Sequence, residues 1–514
     1  MNTNDPNANP FAINPPRLPD LPIEQSNPPA RRPDPGSKRA ALIAWIIFIV
    51  CSLTIAVQNQ IEHFLPAQPA ATPTAPAAAP TQAPIDPPDA DPTSLTLRFT
   101  LKYVSYNAVE SRKAMADLRK SAGKDPITTA RLDLADAIID SFTSPKDLSQ
   151  TVTRLTDQAN AQTDERLRSD LLLAAKVYSL QPSTTPPTPD SLNPTAVNNF
   201  RQRHGFLADA TLGYADPTFA PARIKATSGI EIILILSLAL VLGFIAAFLV
   251  GLGLLIYRLV TIDKPMPGPP QHLLPPLPGG SLPIEIAALF LTGFLAMRAI
   301  ITIAAHAFSP ETANLLAIIL PWSLTALVLI YPTLRGIPFA HARQLLGLTA
   351  PRGITREISS GILGWLTAFP FLILALVISL VALFLIQTVT HSQPQQNTRI
   401  LDLAAGAQGW SLILFLAMLT IWAPLTEELV FRGGLYRQLR TRLPIFLAIP
   451  ISAFFFAIVH HYPLFFLTPV FTLGCLFAIL RQHRTSLIAS ITAHALNNAL
   501  AGIIILIMLN LLMS

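Results

Sequence analysis

Nine apolar runs, each near the length needed to cross a bilayer, fix most of what this 514-residue chain can become. They fall at about residues 40–58, 230–257, 284–307, 313–331, 361–388, 409–431, 444–460, 464–480 and 487–512. About 20 apolar residues in a helix span the hydrocarbon core, where a helix or closed barrel is the backbone's way of satisfying itself. The runs are continuous rather than alternating, so helices are predicted. The fold class is therefore all-α: a polytopic transmembrane helix bundle of about eight C-terminal spans plus one N-terminal anchor, with an inserted small soluble helical domain. Hydrophobic residues at 51% and charged residues at 13% place the bilayer, not water, as the main solvent.

The net charge of +6 does not indicate a nucleic-acid partner, because the lysines and arginines lie in short connections between apolar runs. That pattern reports membrane orientation. With the N-terminus in the cytoplasm, Arg258 and Lys264, then Arg335, Arg343, Arg352 and Arg356, then Arg437, Arg440 and Arg442, then Arg481 and Arg484 all fall on the cytoplasmic side. Localisation follows as a multi-pass integral membrane protein, of the cell membrane, with a cytoplasmic N-terminus. The connection at Tyr462-Pro463 reads either as an outer loop or as a re-entrant turn. Cys51 and Cys475 both sit in apolar runs without metal-type spacing, so neither a disulfide framework nor a cysteine zinc site is expected.

Residues 1–38, rich in Pro, Asn and Asp, are expected to form a disordered cytoplasmic tail. Residues 39–59 follow as an uncleaved membrane anchor, since no clear small-residue cleavage site succeeds them. Residues 60–95 are a Pro/Ala-rich linker. Residues 96–225 change in kind, with mixed charge and helical apolar spacing, and read as a soluble helical extracytoplasmic domain, a packing module or a site for a protein partner. Within it Ser144-Pro145-Lys146-Asp147 has the look of a helix start, and Arg166 to Leu180 that of an amphipathic helix. Residues 229–282 give a transmembrane helix and a Pro-rich loop.

Ionisable residues inside apolar runs are the natural candidates for function, because each one is costly in lipid. Thr426-Glu427-Glu428-Leu429-Val430-Phe431-Arg432 puts two carboxylates and an arginine in one run. On a helix Glu428 and Arg432, four apart, pair along one face. Glu427 points about 100° away from Glu428 and is free to meet another helix. Pro424 cannot donate to the Thr420 carbonyl and should loosen the helix there. A later run carries Phe456 and His460, and the last carries His494, Asn497 and Asn498. A carboxylate without a local partner, two histidines and an amide are the parts for hydrolysis by activated water, with donors for the oxyanion. No serine or cysteine nucleophile accompanies them. The same Glu427, His460 and His494 would also serve as a zinc set. A proton-relay transporter or a non-catalytic membrane scaffold are the competing classes. His461, Asn497, Arg298 and His306 read as interfacial, interhelical or snorkelling groups.

Glu427 to Arg432 resembles the EExxxR motif, Phe456 to His460 the FxxxH motif and His494 to Asn498 the HxxxN motif of the CAAX protease and bacteriocin-processing (CPBP) family of intramembrane endopeptidases. The resemblance covers roughly residues 283–514. It implies that Glu427 is the catalytic base, that His460 helps activate the water, and that His494 and Asn498 form the oxyanion site. Glu428 and Arg432, with Phe456, would hold the architecture. It also implies a peptide or protein substrate at the membrane, such as a CAAX-like C-terminal tail or a leader peptide, and no required cofactor, zinc being the alternative. A straight helix from Pro444 would carry His460 about 24 Å deep, against about 7–12 Å for Glu427 and His494. The expectation is therefore that residues 441–449 lie along the interface and the helix starts later.

Overall fold

The structure, a computed structural model, describes residues 36–64, 93–121, 125–180, 182, 192–261, 280–308, 310–390, 410–460 and 462–513. The expected tail before residue 36, the linker core, the Pro-rich loop after residue 261 and His461 lie outside these residues, as does the side chain of His306. The described residues are helical throughout, with no strand.

The first helix, α1 (Lys38–Phe64), buries Ala41, Ala44, Phe48, Cys51 and Ile55 and exposes Leu42, Ile46, Val50 and Leu53. Spacings of three and four put the buried set on one stripe, so one face meets protein while the rest remains for lipid. Helices α2 (Thr93–Val104), α3 (Ala108–Ser121), α4 (Pro126–Thr143), α5 (Ser149–Ala161), α6 (Glu165–Ser179), α7 (Pro194–His204), α8 (Phe206–Leu212) and α9 (Ala220–Thr227) build a domain with its own core, around Leu101, Ile138, Leu171, Phe200 and Leu207. The amphipathic pattern at 166–180 is α6, capped by Asp164, whose carboxylate accepts from Arg166 N. The helix start expected at Ser144 is not there. Ser144 closes α4 by donating its N–H to Asp140 O, and Asp147 accepts from Ser149 N, where α5 begins. A cap signature marks whichever helix end lies nearby, and here that end is α4's.

Helix α10 (Ile230–Val260) leads into the membrane bundle and packs on α14 (Ile354–Thr390). The backbones meet at Gly251, where a Cβ would lie 2.2 Å from Leu366 O, so a side chain is excluded. Helix α11 (Leu282–Ala307) runs beside α1, and α12 (Pro310–Leu334) returns along it. Near the start of α11, Glu285 accepts from Ser281 Oγ (2.5 Å), Tyr331 OH (2.6 Å) and Arg335 Nε (3.0 Å). After α12 the chain bends by 116° into the short α13 (Phe339–Leu346).

The segment 410–439, here α15, is helical but not uniformly α. Two π-helical stretches, Met418–Trp422 and Leu429–Tyr436, flank the α-turn Ala423–Glu428. Helices α16 (Ile445–Ile458) and α17 (Leu467–Arg484) form a hairpin, and α18 (Ile488–Met513) closes the bundle. Among the described residues seven helices are long and apolar enough to cross a membrane, or eight if the bent α12–α13 pair counts. Of the nine expected crossings, 444–460 is the exception: α16 has 14 residues, about 21 Å. The basic connections gather at one end. Arg437 donates to Leu345 O, Arg484 pairs with the buried Glu357, and Leu487 N donates to Gly347 O.

Candidate active site

Pro424 determines the local form of α15. In the π register Ala423 N reaches back five residues to Met418 O. The next donor in that register would be Pro424, which has none, so Leu419 O is left to other partners. Asn498 Nδ2 fills the gap from α18, donating to Leu419 O at 3.0 Å. The loosening expected at Pro424 thus takes the form of a π turn, stitched to the last helix.

One turn later the two carboxylates diverge. Glu428 accepts from Arg432 Nη1 at 2.9 Å, and neither is solvent-accessible. Arg432 Nη2 donates to Gly474 O at 3.0 Å, and its guanidinium lies 4.2 Å from the Phe456 ring centroid and 5.0 Å from that of Phe477. An arginine can be held in an apolar core when its charge is paired and its faces are covered by aromatic rings. At Gly474 a Cβ would sit 2.9 Å from Ala453 Cβ, so the glycine allows the hairpin to close over Arg432.

Glu427 takes the other side. Its Oε2 lies 3.5 Å from His460 Nε2 and 3.7 Å from His494 Nε2. The other ring nitrogens are committed: His460 Nδ1 to Phe456 O (2.6 Å) and His494 Nδ1 to Glu428 Oε1 (3.2 Å). A carbonyl and a paired carboxylate both accept, so each Nδ1 donates and each Nε2 is turned toward Glu427. Phe456 packs on both rings, at 4.6 and 5.8 Å, and His494 stacks on Phe477 at 4.7 Å. Exposure separates the two carboxylates: the Glu427 side chain is 22% accessible and that of His460 23%, whereas Glu428 is sealed. Glu427 Oε2 has no hydrogen-bond partner within the protein.

The level of His460 has a different cause from the one expected. Residues 445–458 are one helix through Pro450, so the helix starts at Ile445 rather than later. Instead α16 starts lower against α15, as the Ser452 Oγ contact to Phe431 O at 3.5 Å shows. His460 is eight residues above Ser452 and Glu427 four above Phe431, about 12 and 6 Å. The imidazole folds back onto Phe456 O and closes the difference.

The structure therefore brings Glu427, Glu428, Arg432, Phe456, His460 and His494 together. Asn498 lies one turn along α18 from His494 and is bound to Leu419 O, while Asn497 lines the wall of a neighbouring cavity. That cavity, about 690 Å³, lies between α10, α14, the hairpin turn and α18, and is walled by Trp365, Phe369, Tyr462, Phe466, Leu473 and Leu500 among others. Tyr462 stacks parallel to the His460 ring, so cavity and carboxylate site share a wall. Sequence reasoning missed Phe477 and Gly474, which take part only through contacts between helices, and Tyr462, which takes part through the fold of the turn that stacks it on His460. Arg298, half-buried, donates to Asn59 Oδ1 and is an interhelical partner rather than a snorkelling group. Among the described residues no three His, Cys, Asp or Glu side chains are arranged as a metal site.

Residues 409–500 match a family model described as Rce1-like, type II CAAX prenyl endopeptidase. The matched stretch holds all four candidate residues. No curated protein and no solved structure shows significant similarity to the chain.

Proposed function

We propose, from the premise that residues 409–500 are a domain of the Rce1-like type II CAAX prenyl endopeptidase family, that this chain is an intramembrane endopeptidase using water activated at Glu427. The single observation that carries the reading is Glu427 Oε2, a buried oxygen on a partly accessible carboxylate side chain, without a hydrogen-bond partner in the protein and faced by two imidazole nitrogens. A water lodged among these three groups has acceptors for both its hydrogens. It can attack a peptide carbonyl carbon while its proton passes to Glu427, with His460 sharing the load. Arg432 neutralises one carboxylate; a proton shared by Glu427 with His460 or His494 keeps the rest of the buried cluster neutral. Protonated at Nε2, His494 donates to the oxyanion, joined by the second hydrogen of the Asn498 amide. Glu427 then returns the proton to the leaving nitrogen as the C–N bond breaks, giving a carboxylate and an amine.

Zinc would draw on the same donors, Glu427 Oε2 and the two Nε2 atoms, and would supply Lewis-acid polarisation of the carbonyl there. The apolar cavity beside the carboxylate supports a substrate that brings a large apolar group, in keeping with the words CAAX prenyl endopeptidase in the family description. Orientation by the positive-inside rule places the soluble domain outside the cytoplasm and the site toward the cytoplasmic half of the bilayer.

The test is cleavage of a synthetic CAAX peptide by the full chain in lipid nanodiscs, with and without its prenyl group, in H₂¹⁸O. The proposal expects a new carboxylate carrying one ¹⁸O, faster release from the prenylated peptide, and no product from Glu427→Gln. Equal cleavage by Glu427→Gln would refute the assigned base; equal rates on both peptides would remove the cavity's role.

A further inference from the structure

Helix α16 ends at Ile458 inside the bundle rather than in water. The last four carbonyls of any helix lack intrahelical donors, and in an apolar interior they need them from elsewhere. The turn meets part of this need itself, His460 N donating to Ala457 O and His460 Nδ1 to Phe456 O, while the carbonyls just beyond the helix find donors on the N-terminal helix, 400 residues earlier. Asn59 Nδ2 donates to Val459 O at 3.2 Å, and Gln60 Nε2 donates to Tyr462 O at 2.9 Å. These carbonyls bracket His460 on either side. Asn59 is 1% exposed, and its Oδ1 accepts from Arg298 Nη1 at 3.0 Å. A guanidinium only donates and a carbonyl only accepts, so the Asn59 amide has one permitted orientation. Helix α1 is seated along its length, with Ser37 N on Ser281 Oγ at one end and Phe48 edge-on to Phe455 at 5.0 Å in the middle.

We infer that Asn59 and Gln60 are positioning residues for the reaction: they clamp the turn that carries His460 and so hold its imidazole over Glu427. The inference rests on the role proposed for His460. It assigns α1, which lies outside the family-matched stretch, to the catalytic unit rather than to anchorage alone. Loss of either donor orphans a carbonyl beside His460 and lets the turn drift. Hydrolysis suffers more than substrate capture, because the clamped turn supplies only Tyr462, Pro463, Phe465 and Phe466 to a cavity wall built otherwise from α10, α14, α17 and α18.

The experiment uses the full chain in nanodiscs. Asn59→Asp keeps the acceptor for Arg298 and removes the donor to Val459; Gln60→Glu removes the donor to Tyr462. Four quantities are read for each: kcat and KM on the peptide, the rate of diethyl pyrocarbonate modification at His460 by peptide mass, and the thermal midpoint. Each variant is expected to lower kcat about tenfold, the equivalent of one buried hydrogen bond. KM should stay within about twofold, and His460 modification should rise severalfold. Unchanged modification in both variants overturns the inference, whatever happens to activity. So does a fall in the midpoint with kcat and KM changing together, which marks a merely structural role. If Glu427→Gln retains cleavage, the protease mechanism fails, and the clamp is still judged on His460 modification alone.

Discussion

At the scale of single residues, the site assigns different work to two neighbouring carboxylates. Glu427→Gln should lower turnover by about 10²–10⁴-fold, the usual contribution of a general base, with the thermal midpoint nearly unchanged. Glu428→Gln should behave in the opposite way, because it strands the buried Arg432 charge; breaking a buried pair costs about 3–5 kcal/mol. The Glu428→Leu/Arg432→Leu double variant should regain most of the lost abundance while remaining inactive, since His494 loses the partner on its Nδ1. Expression level and midpoint, read beside activity, check the three. This division of labour was legible in the sequence, because helical geometry alone pairs residues four apart and turns the third away. Phe477 and Gly474 were not legible. Their parts are played on α17, and nothing in a local pattern says which aromatic ring or which carbonyl will meet Arg432 from another helix.

At the scale of elements, the π turn before Glu427 and the middle of α18 form one device. Asn498→Leu should destabilise the chain by roughly 1–3 kcal/mol by orphaning the Leu419 carbonyl. In a Pro424→Ala background the penalty should shrink, because the alanine restores a backbone donor. A double-mutant cycle on the unfolding midpoint in detergent measures that coupling, and additive effects would refute it. The sequence announced a defect at Pro424 but not its form, since the choice between a kink and a π turn depends on what α18 offers across the gap. The level of His460 was misjudged for a related reason. Counting residues from Pro444 assumes that neighbouring helices start together, and α16 begins below the point at which α15 ends its π stretch.

At the scale of the whole molecule, the all-α polytopic architecture followed from run length and hydropathy, which is why it survives the shortfall at α16. A hairpin whose two ends lie on one side leaves the sidedness of every other helix unchanged. The soluble domain gives its own prediction. His204 is fully buried, with Nε2 on Asp170 Oδ2 at 3.0 Å, and burial holds its pKa below the ordinary 6.5 despite that carboxylate. In the folded domain it stays neutral while the unfolded chain takes a proton below pH 6.5. Stability is therefore complete above that pH and declines as pH falls toward the folded pKa, by at most about 1.4 kcal/mol per pH unit. Hydrogen exchange in α4, α6 and α7, followed between pH 7.5 and 5, should show this slope, and His204→Gln should flatten it.

The measurement that bears most directly on the central claim is a comparison of polypeptide termini in membranes holding the wild-type chain or Glu427→Gln at equal abundance, each with and without a zinc chelator. The account predicts C-terminal ends that form with the wild-type chain, survive the chelator and disappear with the variant. Identical termini in both membranes would contradict it and return the polar cluster to a proton path or a scaffold; termini lost with the chelator would make zinc part of the site.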